Sequence, residues 1–286
     1  MSFTEKIIEV SFTLKSGTFT PGNSSTLTLS GLRVSARITQ NVGPGAATGV
    51  FQIYGMTFSQ MNQLSTLGLP PTEFSQNTIS IKAGDASGMA LVFQGMIRIA
   101  NADLNQAPDS AFVVKAYSGL ASAASVIPPT SYKGGVDVAT VMSSLAHQIG
   151  RAFTNNGVAI ILSNPYFHGS ARDQLQACAD AGGFEWYDDG LTIYIWPENG
   201  NRGQLSVAVG PNSTPPMVGY PTWSGAGVIF EVEFNPNIVI GCIIQLTSSL
   251  TAANGAWNAY LVTVALDTQI PGGAWFMEVL AFKAGQ

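Results

Sequence analysis

Apolar residues in this chain recur at every second position towards both ends, and at helical spacing only in the middle. That change of period limits what the chain can fold into. Ile8, Val10, Phe12 and Leu14 alternate with Glu9, Ser11, Thr13 and Lys15, the pattern of a strand with one buried face. LTLSGLRVSARITQ continues it, with Leu32, Val34, Ala36 and Ile38 on one side. Further strands are expected in VFQIYGM, NTISIKAGD, ALVFQGMIRIANAD and AFVVKAYSG. Within ALVFQGMIRIANAD, Leu91, Phe93 and Gly95 share a face, and Gly88 with Gly95 marks a bend or bulge. NVGPGAATG reads as a Gly-rich loop. TFSQMNQLSTLGLPP reads as a short helix stopped by Gly68 and the Pro70–Pro71 pair. Short strands, turns and one minor helix give a small barrel or sandwich over residues 1–117.

SGLASAASVIPPTSYKGG then acts as a linker, and the period becomes helical. In VDVATVMSSLAHQIGRAF, Val138, Val141, Met142, Leu145, Ile149 and Phe153 form one stripe. Asp137 is placed as N-cap, Val136 and Val141 as a hydrophobic staple, and Asn155, Asn156 and Gly157 end the helix. VAIIL reads as a short buried strand. Ser170 caps a second helix with Asp173 as its capping-box partner; Ala171, Leu175 and Cys178 point inward, and Gly182–Gly183 stops it. FEWYDDGLTIYIW is a hairpin turning at Asp189–Gly190. That register sets Trp186 opposite Ile193, Phe184 opposite Ile195, Tyr187 opposite Thr192 and Glu185 opposite Tyr194. Residues 118–199 thus form a small α/β unit. Over residues 200–286 the alternation returns in GQLSVAVG, VIFEVEFNP, NIVIGCIIQLTSS, NAYLVTVALDTQ and AWFMEVLAFKA. The expected class is mainly β with an α+β insert: two small β-barrel-like domains flanking a small α/β domain.

Composition narrows the function. Charged residues make up 10% of the chain, against about 25% in an average soluble domain. A surface so poor in charge fits one covered by other subunits. The net charge of -5, with scattered basic residues, excludes sequence-independent grip on duplex phosphates. MSFTEKIIEVSF lacks the apolar core of a signal peptide, and the apolar run Ile238 to Leu246 is too short to cross a bilayer. A soluble protein made in a cytoplasm is expected. Cys178 and Cys242 are read as buried free thiols.

The candidates for chemistry have structural readings. His147 lies on the polar side of its helix, opposite the apolar stripe. His168 follows NPYF in a loop without a nucleophile motif. Asp189 belongs to an Asp-Gly turn, with Asp188 its solvated neighbour. Glu231 and Glu233 share the outer face of a strand. Gly225 and Gly227 lack the third glycine and the helix of a dinucleotide site. No catalytic, cofactor or metal residue is assigned, no cofactor is expected, and an enzyme is not the expected reading.

LVFQGMIRIANADLNQAPDSAFVVKAYSG, LSNPYFHGSARDQLQACADAGGFEWYDDGLTIYIWP, PMVGYPTWSGAGVIFEVEFNPNIVIGCIIQLTSS and ALDTQIPGGAWFMEVLAF resemble the baseplate hub proteins of contractile-tailed bacteriophages. The resemblance runs in order from about Val50. It implies a virion structural protein, a homotrimer capping the tail tube above the spike, with other baseplate proteins as neighbours. Each subunit would contribute two similar β-barrels with an α/β insert between them, so that three copies present six modules to a sixfold tube. DNA would be met only in transit, through a mildly acidic lumen. The family carries no catalytic residues to map here, and no segment fits a fused lysozyme-like domain. Gly95 and Gly241, each interrupting an apolar strand, would be an echo of duplication. The competing expectation, from five Trp and eight Tyr, is a β-rich carbohydrate-binding or adhesin module.

Overall fold

A computed structural model describes residues 4–19, 24–43, 47–69, 76–105, 107–119, 125–203, 206–225 and 227–284. The fold is mainly β with a few helices, and it divides into two compact units. The first comprises residues 1–39, 48–118 and 264–276; the second comprises 40–47, 119–263 and 277–286.

In the first unit the strands are β1 (Ile7–Thr13), β2 (Thr26–Leu29), β3 (Val34–Asn41), β4 (Thr48–Tyr54), β5 (Thr78–Asp85), β6 (Gly88–Asp103) and β7 (Ala111–Tyr117). They hydrogen-bond antiparallel in the order β3-β4-β7-β6-β5-β1-β2. Alternation in β1 buries Ile8, Val10 and Phe12, and Phe12 meets Phe112 edge-on at 6.4 Å. The expected run from Leu27 to Gln40 is split, because Gly31 takes φ +72° between β2 and β3. Leu91 and Phe93 do not share a face. Ile81 pairs with Phe93 but Lys82 pairs with Leu91, so Val92 is the extra residue of a bulge. Leu91 is 47% exposed where Phe93 is 3%, the flip that one inserted residue produces. Gly95 lies where any Cβ would come within 2.8 Å of the Tyr117 backbone. Helix α1 (Phe58–Leu64) is closed by a Thr57–Gln60 capping box and ends at Ser65, short of Gly68; the Pro70–Pro71 stop lies outside the described residues. Thr268 Oγ1 accepts from Val34 N–H and donates to Leu32 O, and Arg37 makes a two-pronged pair with Asp267 at 2.9 and 3.0 Å.

The second unit holds β8 (Thr130–Ser131), β9 (Gly135–Asp137), α2 (Val138–Gln148), β10 (Ala152–Asn155), β11 (Ile161–Ser163), β12 (Tyr166–Phe167), α3 (Ala171–Gly182), β13 (Phe184–Asp188) and β14 (Thr192–Pro197). Val138, Val141, Met142 and Leu145 pack with Leu175, Cys178, Trp186, Ile193 and Ile195 in one core. Asp137 caps α2 by accepting from Ala139 N–H. Ser170 and Asp173 form both halves of the α3 capping box, and Gly183 ends α3 in the left-handed region.

Three expectations fail in detail here. α2 stops at Gln148 rather than reaching Asn155: Gly150 turns the chain with φ +69°, and Phe153 joins β10, parallel to β14. In place of the buried VAIIL strand there is only β11, lying at the surface beside β9. The hairpin register also moves. Trp186 faces Ile195 and Glu185 faces Trp196, because Asp189 Oδ1 accepts from the N–H groups of Leu191 and Thr192 and builds a longer turn. The shift is even, so Phe184, Trp186, Ile193 and Ile195 keep their common buried face.

The remaining strands are β15 (Ser206–Val209), β16 (Met217–Trp223), β17 (Gly227–Glu233), β18 (Ile243–Leu246), β19 (Gly255–Thr268) and β20 (Trp275–Lys283). Their order is β16-β17-β20-β19-β18-β15, with β15 parallel to β18. Gly241 does not interrupt a strand: it sits in the turn before β18 with φ +77°. The expected glycine echo with Gly95 is therefore lost.

Candidate functional site

The polar residues between 163 and 197 mostly hold the second unit together. Asp188, expected to be solvated, is 5% exposed. Its Oδ1 accepts from Gly190 N–H at 2.8 Å and lies 3.4 Å from Arg151 Nε. Asp189 Oδ2 lies 3.4 Å from Arg202 Nη2. The adjacent carboxylates thus turn to different arginines and share no site. Arg202, which no sequence motif picked out, lies 3.4 Å from the centre of the Tyr194 ring and donates its N–H to Gly241 O. Burial raises the Tyr187 hydroxyl, with Asp189 adding to the effect. Glu185 is also raised, first by burial and then by Glu198, against the opposing hydrogen bond from Trp196 Nε1.

The other candidates stay apart. His147 is exposed, in a shallow surface groove of about 850 Å³ with Ser143, Ser144 and Phe153. His168 is exposed with its ring 5.9 Å from Tyr166. Glu231 is exposed and Glu233 half-buried on β17, alternating with buried Phe230 and Val232. Gly225 turns the chain into strand β17 rather than a helix. Burial pushes the Cys178 thiol up to about 12 and Cys242 to about 11, so both stay protonated near neutral pH and neither is a ready nucleophile. Among the described residues no three His, Cys, Asp or Glu side chains could hold a metal ion, and no helix is long and apolar enough to cross a membrane.

What the surface does offer is exposed apolar side chains. Val218, Tyr220 and Trp223 are exposed along β16, the last strand in its sheet order, and Phe58, Leu67 and Leu69 are exposed around α1. No motif named them. Their signal in the sequence was the lack of charge, since residues 203–230 and 57–69 hold no Asp, Glu, Lys or Arg.

The tail protein of Neisseria meningitidis MC58 is similar in fold, with TM-score 0.62 and 8% identity over 97% of each chain. The 43 kDa tail protein of prophage MuSo2 from Shewanella oneidensis gives TM-score 0.62 and 7% identity over 96% of this chain and 97% of that one. The E. coli c3393 protein, a component of the type VI secretion system, gives 0.59 and 9% over 96% of this chain and 77% of its own. No protein of curated function matches the sequence. The sequence pattern of the family described as Baseplate hub gp41 matches residues 7–270, nearly the whole chain. This chain therefore belongs to the Baseplate hub gp41 family.

Proposed function

We propose that three copies of this chain form a ring at the lower end of a tail tube, joining a hexameric tube to a trimeric spike and leaving a passage for DNA. The family match over residues 7–270 carries this reading. A structural role in a phage baseplate follows from the family. The trimer, the ring and the passage rest on two supports: three copies of a chain with two like β modules would match a sixfold partner, and a chain with 10% charged residues suits a surface largely covered in an assembly. In this reading residues 1–117 and 200–286 are comparable β-barrel-like modules, and 118–199 is the insert between them. The tube protein, the spike and other baseplate proteins are its neighbours in the virion. The role is mechanical rather than catalytic.

Sedimentation equilibrium of the full chain at micromolar concentration, with negative-stain imaging, tests it. The expected result is a trimer with a threefold outline and an open centre. A stable monomer, or a closed particle without a central opening, overturns it.

A further inference from the structure

We propose that Val218, Tyr220 and Trp223 of one copy receive Phe58, Leu67 and Leu69 of a second copy in a head-to-tail contact. The inference rests on the trimer reading and names the surfaces that build it. On β16, Tyr220 is 68%, Trp223 63% and Val218 39% exposed; around α1, Leu67 is 77%, Phe58 66% and Leu69 40% exposed. Large apolar side chains held this far into water within short segments mark a contact surface.

The β16 patch makes its contact with side chains rather than backbone. Between Val218 and Thr222 the register with β17 slips, Gly219 takes φ +68°, and Pro221 has no N–H to donate. A bulge and a proline guard an edge against strand addition. The same bulge lifts Tyr220 outward. Trp223 is held edge-on against Trp257 at 5.9 Å and 72°, and Trp257 is itself buried and donates Nε1–H to Ala253 O. A ring fixed before binding loses little entropy on docking, the property of an interface anchor.

Charge selects the partner surface. The unit carrying α1 has seven acidic against seven basic residues, whereas the unit carrying β16 has ten against five and so holds the whole net charge of -5. A β16 patch meeting its own copy would set acidic unit on acidic unit, with Glu231 opposite Val218 in the β17 register. The α1 segment brings a neutral unit and a run, 57–69, without charge. Two different patches on one chain make a heterologous contact, which forms a ring when its rotation closes. Burying the six side chains removes on the order of 600 Å² of apolar surface, the centre of a standard interface rather than its whole.

The test uses the full chain with two sets of variants, Y220S/W223S and F58S/L67S, in native mass spectrometry. All four side chains are exposed, so thermal melts at low concentration should show both variants folded. Each variant alone is expected to lose the trimer, with association weakened at least about thirtyfold. Mixing the two should yield a one-to-one dimer that cannot close, since each retains the patch the other lacks. Variants that remain trimeric beside a trimeric wild type overturn this contact and leave the trimer reading standing. A monomeric wild type instead removes the trimer reading and the contact with it. Trimeric variants that lose glycan-array or tail-tube binding assign the aromatic patch to that occupant and overturn the second copy.

Discussion

Gly241 shows how much rests on a single backbone position. Its φ of +77° favours glycine, and a Cβ there would lie 2.8 Å from Arg202 Cβ and 3.2 Å from Trp196 Cζ2. The lack of a Cβ lets the Arg202 backbone come close enough to donate to Gly241 O at 2.7 Å while the guanidinium stacks on Tyr194. Gly241→Ala is expected to cost roughly 2–4 kcal/mol from backbone strain and displaced packing, read as a fall in the urea midpoint with unchanged slope. Glu185 yields a pH prediction of unusual sign. Burial raises its carboxyl above the ordinary 4.5, so the native state favours the protonated form. Its contribution to stability is therefore present below about pH 4.5 and is lost as pH rises through the elevated native value. Glu185→Gln keeps an oxygen to accept from Trp196 Nε1 and has no charge to bury. Melting curves should show this variant gaining on the wild type as pH rises above 4.5. A constant difference across that range would refute the burial argument.

At the scale of elements, α3 is the part the sequence specified most fully. Ser170 Oγ accepts from Asp173 N–H, and Asp173 Oδ2 accepts from Ser170 N–H and Oγ–H, which holds the exposed Asp173 carboxyl below its usual range. Ser170→Ala is expected to cost about 1 kcal/mol, seen in thermal melts, and to let the Asp173 titration return towards 3.8 in a carboxyl-resolved NMR series. Both caps and the inward stripe of Ala171, Leu175 and Cys178 were legible because capping and helical period are local properties. The alternation in β1, β17 and β20 was legible for the same reason. Features that depend on a partner strand were not. Val92 becomes an extra residue only against Ile81 and Lys82 of β5, so nothing in ALVFQ marks the point at which Leu91 turns outward. The hairpin turn was misplaced because Asp189 side-chain hydrogen bonds replaced the two-residue Asp-Gly turn. Asp188 was misread because Arg151, far away in sequence, approaches it. Among the surface residues, Tyr220 and Trp223 follow no period, and the lack of nearby charge was their only trace.

For the whole molecule, identities of 7–9% to two tail proteins and a type VI secretion component, each aligned over at least 96% of this chain, mean that specific side chains do not encode this fold. Period and burial do: a strand needs an apolar residue at every second position, and many sequences meet that demand. Surfaces are freer still, so they have to be read chain by chain. If a ring of three is the native state, unfolding is coupled to dissociation, and stability depends on protein concentration. Melting one trimer then yields three unfolded chains, so a tenfold dilution favours unfolding by about 2.7 kcal/mol per trimer. With an unfolding entropy of about 2.1 cal/mol/K for each residue, the three chains together give about 1.8 kcal/mol/K, and the midpoint should fall by about 1.5 °C per tenfold dilution. Calorimetry at two concentrations a hundredfold apart should therefore separate the midpoints by about 3 °C. Superimposable curves would mean that the chain melts as a monomer, and the patches on β16 and α1 would then have to serve a partner other than the chain itself.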